Sequence, residues 1–343
     1  MKTIAMVSAN GGVGKTTLAA NLGAALIERR LHVTGISLGP QNALGLHSKP
    51  LPESPVHTGH STMSRGAGGL HAVTAGMGSE VPSRAVAPMP FGAGAHRAGA
   101  TTGNCAGFSA RSHGMSVIHL GESREAQRLS YERQVEANPD WLRGHLERLQ
   151  LPGDGIVLID TPSGRSPYLS QALAVADLVV VVVAADVMSF ASLTAVHDLF
   201  ANYRNDLKGS SACCYAINRF DSRRALHKDV VKVVRAALGS RVYPMPIHDD
   251  AAIGEALAHD TNVLTYRGTS QASEEFRRLA VDARTARAAG GGLTSCALLR
   301  HRRCERAALA YMSSRRARLS VNASDRPGSV AFCAHWALRV CSV

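Results

Sequence analysis

The sequence predicts an α/β fold, with helices on both faces of a doubly wound, mostly parallel sheet. Strand-like apolar runs alternate with helical runs along most of the chain, which is the order that parallel sheets produce. The first of these runs is joined to a helical run by a glycine-rich turn, Ser8–Thr17. A third observation is Leu178–Ala185, which is apolar throughout and too short for a membrane span. Such a run is typical of a strand that is buried on both faces.

The individual elements are predicted from the period of the apolar residues. The predicted strands are Thr3–Ser8, Val33–Leu38, Ser116–Leu120, Ile156–Asp160, Leu178–Ala185, Ala212–Asn218 and Val242–Ile247. The predicted helices are 15–30, 124–149, a helix that runs through 172–176 after the turn with Pro162 and Pro167, and then 193–203, 226–238, 251–259 and 271–284. These elements predict one folded domain over residues 1–284.

Residues 47–114 interrupt the alternation. They are rich in Gly, Ala, Ser, Pro and His and keep no sustained period of 2 or 3.6. A structureless stretch of this length is unusual inside a compact domain. Two interpretations remain open, a disordered insert and a segment that is read in the wrong frame.

The basic character of the chain is concentrated near its end. Residues 284–343 contain eleven arginines, no lysine and two acids, so they carry nine of the twelve net positive charges. We interpret 285–343 as an unfolded or spurious basic tail. A nucleic-acid-binding arm and an amphipathic membrane anchor are the alternatives. Aromatic residues that could stack on bases are scarce there, so a nucleic-acid partner is not expected.

Composition predicts a cytoplasmic protein. No run of 18 apolar residues exists, and the first strand follows the start without a basic and apolar leader. The seven cysteines show neither a CxxC pair nor a Cys/His metal spacing, which favours free thiols in a reducing compartment.

The turn at Ser8–Thr17 has the residues that hold a polyphosphate. Glycines at Gly11, Gly12 and Gly14 let backbone N–H groups curl around phosphate oxygens, and the following helix adds its own free N–H groups. Lys15 is placed to reach the β- and γ-phosphates of ATP, and the Thr16 hydroxyl to bind Mg²⁺.

The loop Gly-Gly-Val-Gly-Lys-Thr-Thr, residues 11–17, resembles that of the deviant Walker A ATPases of the ParA/MinD superfamily. This resemblance implies a P-loop ATP-binding domain, ATP with Mg²⁺ as cofactors, and an ATP-dependent homodimer. It assigns nucleotide contacts to Asn10, Gly11, Gly12, Val13, Gly14, Lys15, Thr16 and Thr17. Family members carry a signature lysine where this chain has Asn10, so that positive charge is absent.

The second family motif is Asp-x-Asp-Pro-Gln at the end of strand two. This chain has Ser37-Leu38-Gly39-Pro40-Gln41, so both carboxylates are missing. In the family the second aspartate orients the attacking water, and Gly39 has no side chain for that task. We therefore expect ATP turnover to be weak or absent, slower by a factor on the order of 10² or more, while binding is kept.

Three later motifs complete the resemblance. Asp160 ends an apolar strand in the Walker B manner and is predicted to hold Mg²⁺ through water. Asn218 and Arg219 end another strand at the position that the family uses to contact adenine. Pro246 lies in a loop of the type that closes the nucleotide pocket. The neighbouring His248 is interpreted as a turn or cap residue rather than a base.

The form of the last loop, Pro-Met-Pro-Ile-His-Asp-Asp-Ala, is most similar to the cellulose biosynthesis protein Q branch. This branch implies an accessory role at the cellulose synthase and secretion machinery, with possible recruitment to the inner membrane or a cell pole. An active ATPase of chromosome partition or division-site placement is the first alternative. An inert protein with an incomplete sheet, caused by residues 47–114, is the second.

Overall fold

The computed structural model describes residues 1–39, 43–46, 70–73, 111–112, 115–120, 125–203 and 212–285. Its strands are β1 Lys2–Val7, β2 Val33–Ser37, β3 Leu70–Val73, β4 Arg111–Ser112, β5 Met115–Leu120, β6 Ile156–Asp160, β7 Leu178–Ala184 and β8 Ala212–Asn218. Its helices are α1 Lys15–Glu28, α2 Ala43–Leu46, α3 Glu125–Ala137, α4 Trp141–Arg148, α5 Pro167–Val175, α6 Val187–Ala191, α7 Leu193–Asn202, α8 Ala225–Leu238, α9 Ala251–Ala258, α10 Val263–Tyr266 and α11 Gln271–Thr285.

The described strands form one sheet with the order β3-β5-β2-β6-β1-β7-β8, and β4 pairs with β5. All pairings from β5 across to β8 are parallel, whereas β3 and β4 run antiparallel to β5. The predicted doubly wound, mostly parallel sheet is therefore confirmed. Because β1 lies between β6 and β7, the loop after β1 leaves the sheet near its centre, where strand order reverses.

Helices cover both faces of this sheet. On one face α1, α9, α10 and α11 pack against alternate residues of β1, β6 and β7, including Met6 and Leu158. On the other face α3, α4, α5, α7 and α8 pack against the residues in between, including Ala5 and Ile159. Every residue of β7 is buried, as expected for a central strand with helices above and below.

Two predicted elements differ from the structure. Val242–Ile247 is not a strand, because Pro244 and Pro246 lack the N–H groups that a ladder needs. Only the N–H groups of Tyr243 and Ile247 reach carbonyls of β8, at 2.8 Å each. The predicted helix at 124–149 is divided into α3 and α4 at Asn138-Pro139, since a proline cannot continue the helical hydrogen bonds.

Short elements also escaped prediction. β3 and β4 lie inside 47–114, where no period was recognised, and α6 and α10 have too few turns to show one. Asp186 begins α6 by accepting a 2.7 Å hydrogen bond from the Ser189 N–H, and Asn262 caps α10 in the same way. Within 47–114 the structure describes only β3 and β4. The rest of that segment, and the predicted tail from residue 286 onward, lie outside the described residues.

The strand that follows 47–114 restores the sheet beside β2. β5 pairs with β2 in parallel from Thr34 opposite Ser116 to Ser37 opposite His119. The parallel core is thus continuous across the described strands. Within those same ranges, no helix is both long and apolar enough to cross a membrane.

Candidate nucleotide site at the carboxyl edge of the sheet

The predicted site residues meet where β1, β2, β6 and β8 end. Parallel strands place their carboxyl ends on one edge, so segments far apart in sequence converge there. β1 and β6 are direct neighbours, with Met6 opposite Asp160, and β2 is next, with Ser37 opposite Asp160. The glycine-rich loop after β1 therefore lies beside the aspartate that ends β6.

Two glycines give this loop its shape. Gly12 has φ +75° and Gly14 has φ +84°, both in the left-handed region that residues with a Cβ avoid. Gly14 is also the N-cap residue of α1, and its carbonyl accepts the Leu18 N–H at 2.9 Å. The N-terminal turn of α1 thus opens directly onto the loop, which leaves its first N–H groups available to an anion.

Lys15, Thr16 and Asp160 form one cluster at this edge. The Thr16 hydroxyl donates to Asp160 Oδ2 at 2.7 Å, and Lys15 Nζ lies 3.7 Å from Asp160 Oδ1. Both charged side chains are almost fully buried, 9% and 5% exposed. The second carboxylate oxygen, Oδ1, accepts no hydrogen bond from the described residues. A buried carboxylate oxygen without a donor is suited to a further cation or its bound water.

Burial acts on the protonation of both charged groups. It lowers the pKa of the Lys15 ammonium below its ordinary 10.5, and the Asp160 charge opposes this change. Burial likewise raises the pKa of Asp160 above 3.8, opposed by Lys15 and by the Thr16 hydrogen bond. The pair is therefore poorly solvated, and additional charge from a ligand would interact with it strongly.

Asn218 and Arg219, at the end of β8, contact the loop itself. Asn218 Nδ2 donates to the Val13 carbonyl at 2.8 Å, and Arg219 Nη1 donates to the Gly12 carbonyl at 3.2 Å. A Cβ on Gly14 would lie 2.3 Å from Asn218 Nδ2. The structure brings both predicted adenine contacts to the site, and their contact with a base stays a prediction.

The remaining loop residues are closer to solvent. Asn10 Nδ2 approaches the Met188 carbonyl of α6 at 3.5 Å, and the Asn10 carbonyl accepts the Ser8 hydroxyl at 2.8 Å. Gly11 is exposed, whereas Thr17 is half-buried and donates nothing from its side chain to the cluster around Asp160. Asn10 is therefore at the rim of the loop, next to an exposed methionine.

The end of β2 contributes no charge. Ser37 is buried, and its hydroxyl has no hydrogen-bond partner among the described residues. Leu38 is also buried and donates its N–H to the Asp160 carbonyl at 2.9 Å. Among the described residues, no atom lies within 4 Å of a Cβ built on Gly39, the position that corresponds to the second aspartate of the family motif.

The loop with Pro246 comes after α8 in the chain, lies beside the end of β8 and is held by α11. His248 donates its backbone N–H to Glu275 Oε2 at 2.8 Å, and its ring Nδ1 lies 2.6 Å from Oε1 of the same carboxylate. Asp250 caps α9 by accepting the Ala252 N–H and also accepts the Ala272 N–H of α11. Glu275 was missed from the sequence because it lies 27 residues from His248, and only an acid on the buried face of a predicted helix hinted at it.

Comparisons with known proteins agree with this geometry. The family model "Cellulose biosynthesis protein BcsQ" matches residues 106–283, which is more than half of the chain. The chromosome partitioning protein ParA of Caulobacter vibrioides is 27% identical over 295 residues, which cover 82% of this chain and 92% of that protein.

Two solved structures show the same fold. Apo McdA of Cyanothece is 16% identical, with a TM-score of 0.56 over 82% of this chain and 99% of McdA. Cobyrinic acid a,c-diamide synthase of Mycobacterium smegmatis, also 16% identical, has a TM-score of 0.54 over 82% and 93% of the two chains. With the phosphate loop, the sheet order and the family match together, the chain belongs to the cellulose biosynthesis protein BcsQ family, a P-loop ATPase family of the ParA/MinD superfamily.

Proposed function

We propose that this chain binds ATP with Mg²⁺ in the glycine-rich loop and acts as a nucleotide-controlled accessory protein of bacterial cellulose biosynthesis. The observation that carries the binding half is the buried cluster of Lys15, Thr16 and Asp160 at the start of α1. Its lysine supplies positive charge for the phosphates, and its hydroxyl and carboxylate are the hard oxygen ligands that Mg²⁺ prefers.

The residues present are suitable for the metal. Asp160 Oδ1 is buried without a hydrogen-bond donor among the described residues, so a cation or one of its waters would complete its coordination. Thr16 would coordinate the ion directly, and Asp160 would hold it through water. The ion would supply positive charge to neutralise the phosphates, and Lys15 would orient the terminal phosphate. ADP and magnesium are bound in the cobyrinic acid a,c-diamide synthase of the same fold.

Weak or absent hydrolysis is part of the proposal. The open position at Gly39 supports it, because no side chain there can orient a water towards the terminal phosphate. Asn10, at the rim beside Met188, brings no positive charge to the developing transition state. The chain would then keep ATP bound for a long time. The bound nucleotide would hold it in a dimer or scaffold, and ATP would be hydrolysed slowly or not at all.

The cellulose-specific role rests on the family match. As part of that proposal, ATP binding drives homodimer formation and docking to the cellulose synthase and secretion machinery at the inner membrane or cell pole. An active ATPase of partition or division-site placement is the alternative, supported by the ParA relative that aligns over most of both chains. The continuous parallel core weighs against an inert protein with a disrupted sheet.

The binding half is tested by calorimetric titration of Mg-ATP into the full chain. Lys15→Ala should weaken binding at least about tenfold, because a charge-assisted contact to phosphate is lost. Lys232→Ala, an exposed lysine on α8 far from the loop in sequence, is the matched control and should bind as wild type. Equal affinity in wild type and Lys15→Ala would contradict the proposal.

The two roles are separated in cells and by light scattering. In a bacterium lacking this chain, wild type should restore cellulose deposition and Lys15→Ala should not. Chromosome segregation should be unaffected in the same strains. A segregation defect with normal cellulose would instead support the partition alternative, and an unchanged molar mass with and without ATP would exclude the nucleotide-dependent dimer.

A further inference from the structure

Side chains at the end of β8 donate hydrogen bonds to two carbonyl groups of the glycine-rich loop. Asn218 is 5% exposed, and its amide donates to the Val13 carbonyl at 2.8 Å. Arg219, the next residue, donates to the Gly12 carbonyl at 3.2 Å. Two consecutive peptide groups of the loop are thus bound from the same strand end.

The direction of these carbonyls fixes the direction of the neighbouring N–H groups. In a planar trans peptide the C=O and the N–H of the same unit point in opposite directions. The carbonyls of Gly12 and Val13 point towards β8, so the N–H groups of Val13 and Gly14 point away from it. Those N–H groups are the ones that a phosphate in a glycine-rich loop would accept from.

The loop and the strand end are shaped for each other. Gly14 lacks the Cβ that would lie 2.3 Å from Asn218 Nδ2, so only glycine leaves room for this amide. Arg219 has φ +55°, a left-handed conformation that is uncommon for a residue with a long side chain. Such strain persists where the surroundings stabilise it, and here Arg219 also lies 4.0 Å from Asp249.

We propose that Asn218 and Arg219 are positioning residues that preform the phosphate loop before any nucleotide binds. This inference rests on the proposed nucleotide function and goes beyond a contact with the base. Affinity for the polyphosphate chain, and not only for the adenine ring, then depends on β8. Both hydrogen bonds join residues of the chain itself and involve no ligand atom, so we expect their effect with or without nucleotide.

Hydrogen exchange of the nucleotide-free full chain tests this directly. Asn218→Ala should speed exchange of the amides in residues 9–17 by about tenfold, since one buried hydrogen bond to the loop is lost. Arg219→Ala should have a smaller effect, and the double variant the largest. Amides of α11 should be unchanged, and Asn138→Ala, which removes an exposed asparagine elsewhere, is the matched control.

A ligand without a base provides the second measurement. Asn218→Ala should weaken magnesium tripolyphosphate and Mg-ATP by the same factor, about tenfold. Unchanged loop exchange, or a loss confined to ATP, would overturn the proposal and leave Asn218 as a base contact only. Asn218→Asp keeps the size of the side chain but places an acceptor against the Val13 carbonyl, so it should reproduce the loss even if the alanine variant folds poorly.

The two proposals fail in different ways. If wild type bound neither ATP nor tripolyphosphate, the proposed nucleotide function would be wrong. The exchange measurement needs no nucleotide, so it would still decide whether β8 positions the loop.

Discussion

Two neighbouring strand ends at the same edge of the sheet differ sharply in their chemistry. At the end of β6, Asp160 is buried against Lys15 and Thr16, and its Oδ1 has no hydrogen-bond donor in the part of the chain that the structure describes. At the end of β2, one strand away, the same part of the chain offers no partner to the Ser37 hydroxyl and no atom within 4 Å of a Cβ on Gly39. On the proposed function, the first strand end supplies groups for phosphate and Mg²⁺, and the second lacks a side chain that could orient a water. We therefore predict that ATP binding and ATP turnover are separable in this protein.

Removing the carboxylate at the end of β6 should cause the largest change, a loss of Mg-ATP affinity. Asp160→Ala deletes the acceptor of the Thr16 hydroxyl and the oxygen proposed to hold Mg²⁺ through water, so Mg-ATP affinity should fall about 100-fold. Titrations with and without Mg²⁺ measure this loss. Asp154→Ala, in the exposed turn before β6, should bind as wild type. A loss of equal size without Mg²⁺ would argue against the metal role.

Adding a carboxylate at the end of β2 should remove the difference between the two ends. Gly39→Asp should raise the rate of phosphate release by about tenfold or more, since an oriented general base contributes on the order of 10²-fold or more. A Cβ on Gly39 would meet no atom of the described residues within 4 Å, so we expect the fold to tolerate the substitution. Gly39→Ala adds the Cβ without the carboxylate and should stay as slow as wild type. Equal rates in all three proteins would show that turnover is limited elsewhere.

Deleting one hydroxyl at each strand end should have a smaller effect, which we expect in the free energy of unfolding. Ser37→Ala removes a buried hydroxyl for which the described ranges provide no partner, so the free energy of unfolding should be unchanged or rise by up to about 1 kcal/mol. Thr16→Ala leaves Asp160 Oδ2 without its donor and should cost about 1–2 kcal/mol. Urea unfolding of the nucleotide-free proteins measures both. A larger cost for Ser37→Ala than for Thr16→Ala would reverse the assignment.

The smallest effect is expected from acid, which should lower the stability of the fold through His145 on α4. Burial beside Trp141 lowers the pKa of His145 below 6.5 in the folded chain. The unfolded chain then binds its proton at the higher pH, so stability is complete above 6.5 and falls as the pH drops below that value. The urea midpoint should be lower at about pH 5.5 than at about pH 8, and His145→Gln should reduce that difference. An identical pH dependence in the variant would exclude His145 as the cause.

Much of the fold was predictable because buried parallel strands have a recognisable local sequence pattern. β6 and β8 were predicted with their observed bounds, since each is a short apolar run with a polar residue at its end. Val242–Ile247 was wrong, because an apolar run with two prolines has strand composition but cannot make a ladder. The break at Asn138-Pro139 shows the same point for helices, since one missing N–H outweighed a favourable period.

The candidate site was predicted in part. Lys15, Thr16 and Asp160 were identified as a set, and the structure brings them within hydrogen-bond or ion-pair distance. The contacts of Asn218 with Val13 and of His248 with Glu275 were not predicted. Both join segments separated by many residues, and no periodicity in the sequence reports on such pairs.

The sequence sets the available chemistry, because residue type and local spacing decide which strands, loops and charges can form. It specified a glycine-rich turn before a helix, an aspartate at the end of β6 and the absence of one at Gly39. The tertiary contacts, in contrast, bring the end of β8 to the carbonyls of Gly12 and Val13. They also place Asp160 Oδ1 3.7 Å from Lys15 Nζ, where it accepts no hydrogen bond from the described residues. These features depend on strand order and burial, which arise only when distant segments pack against one another.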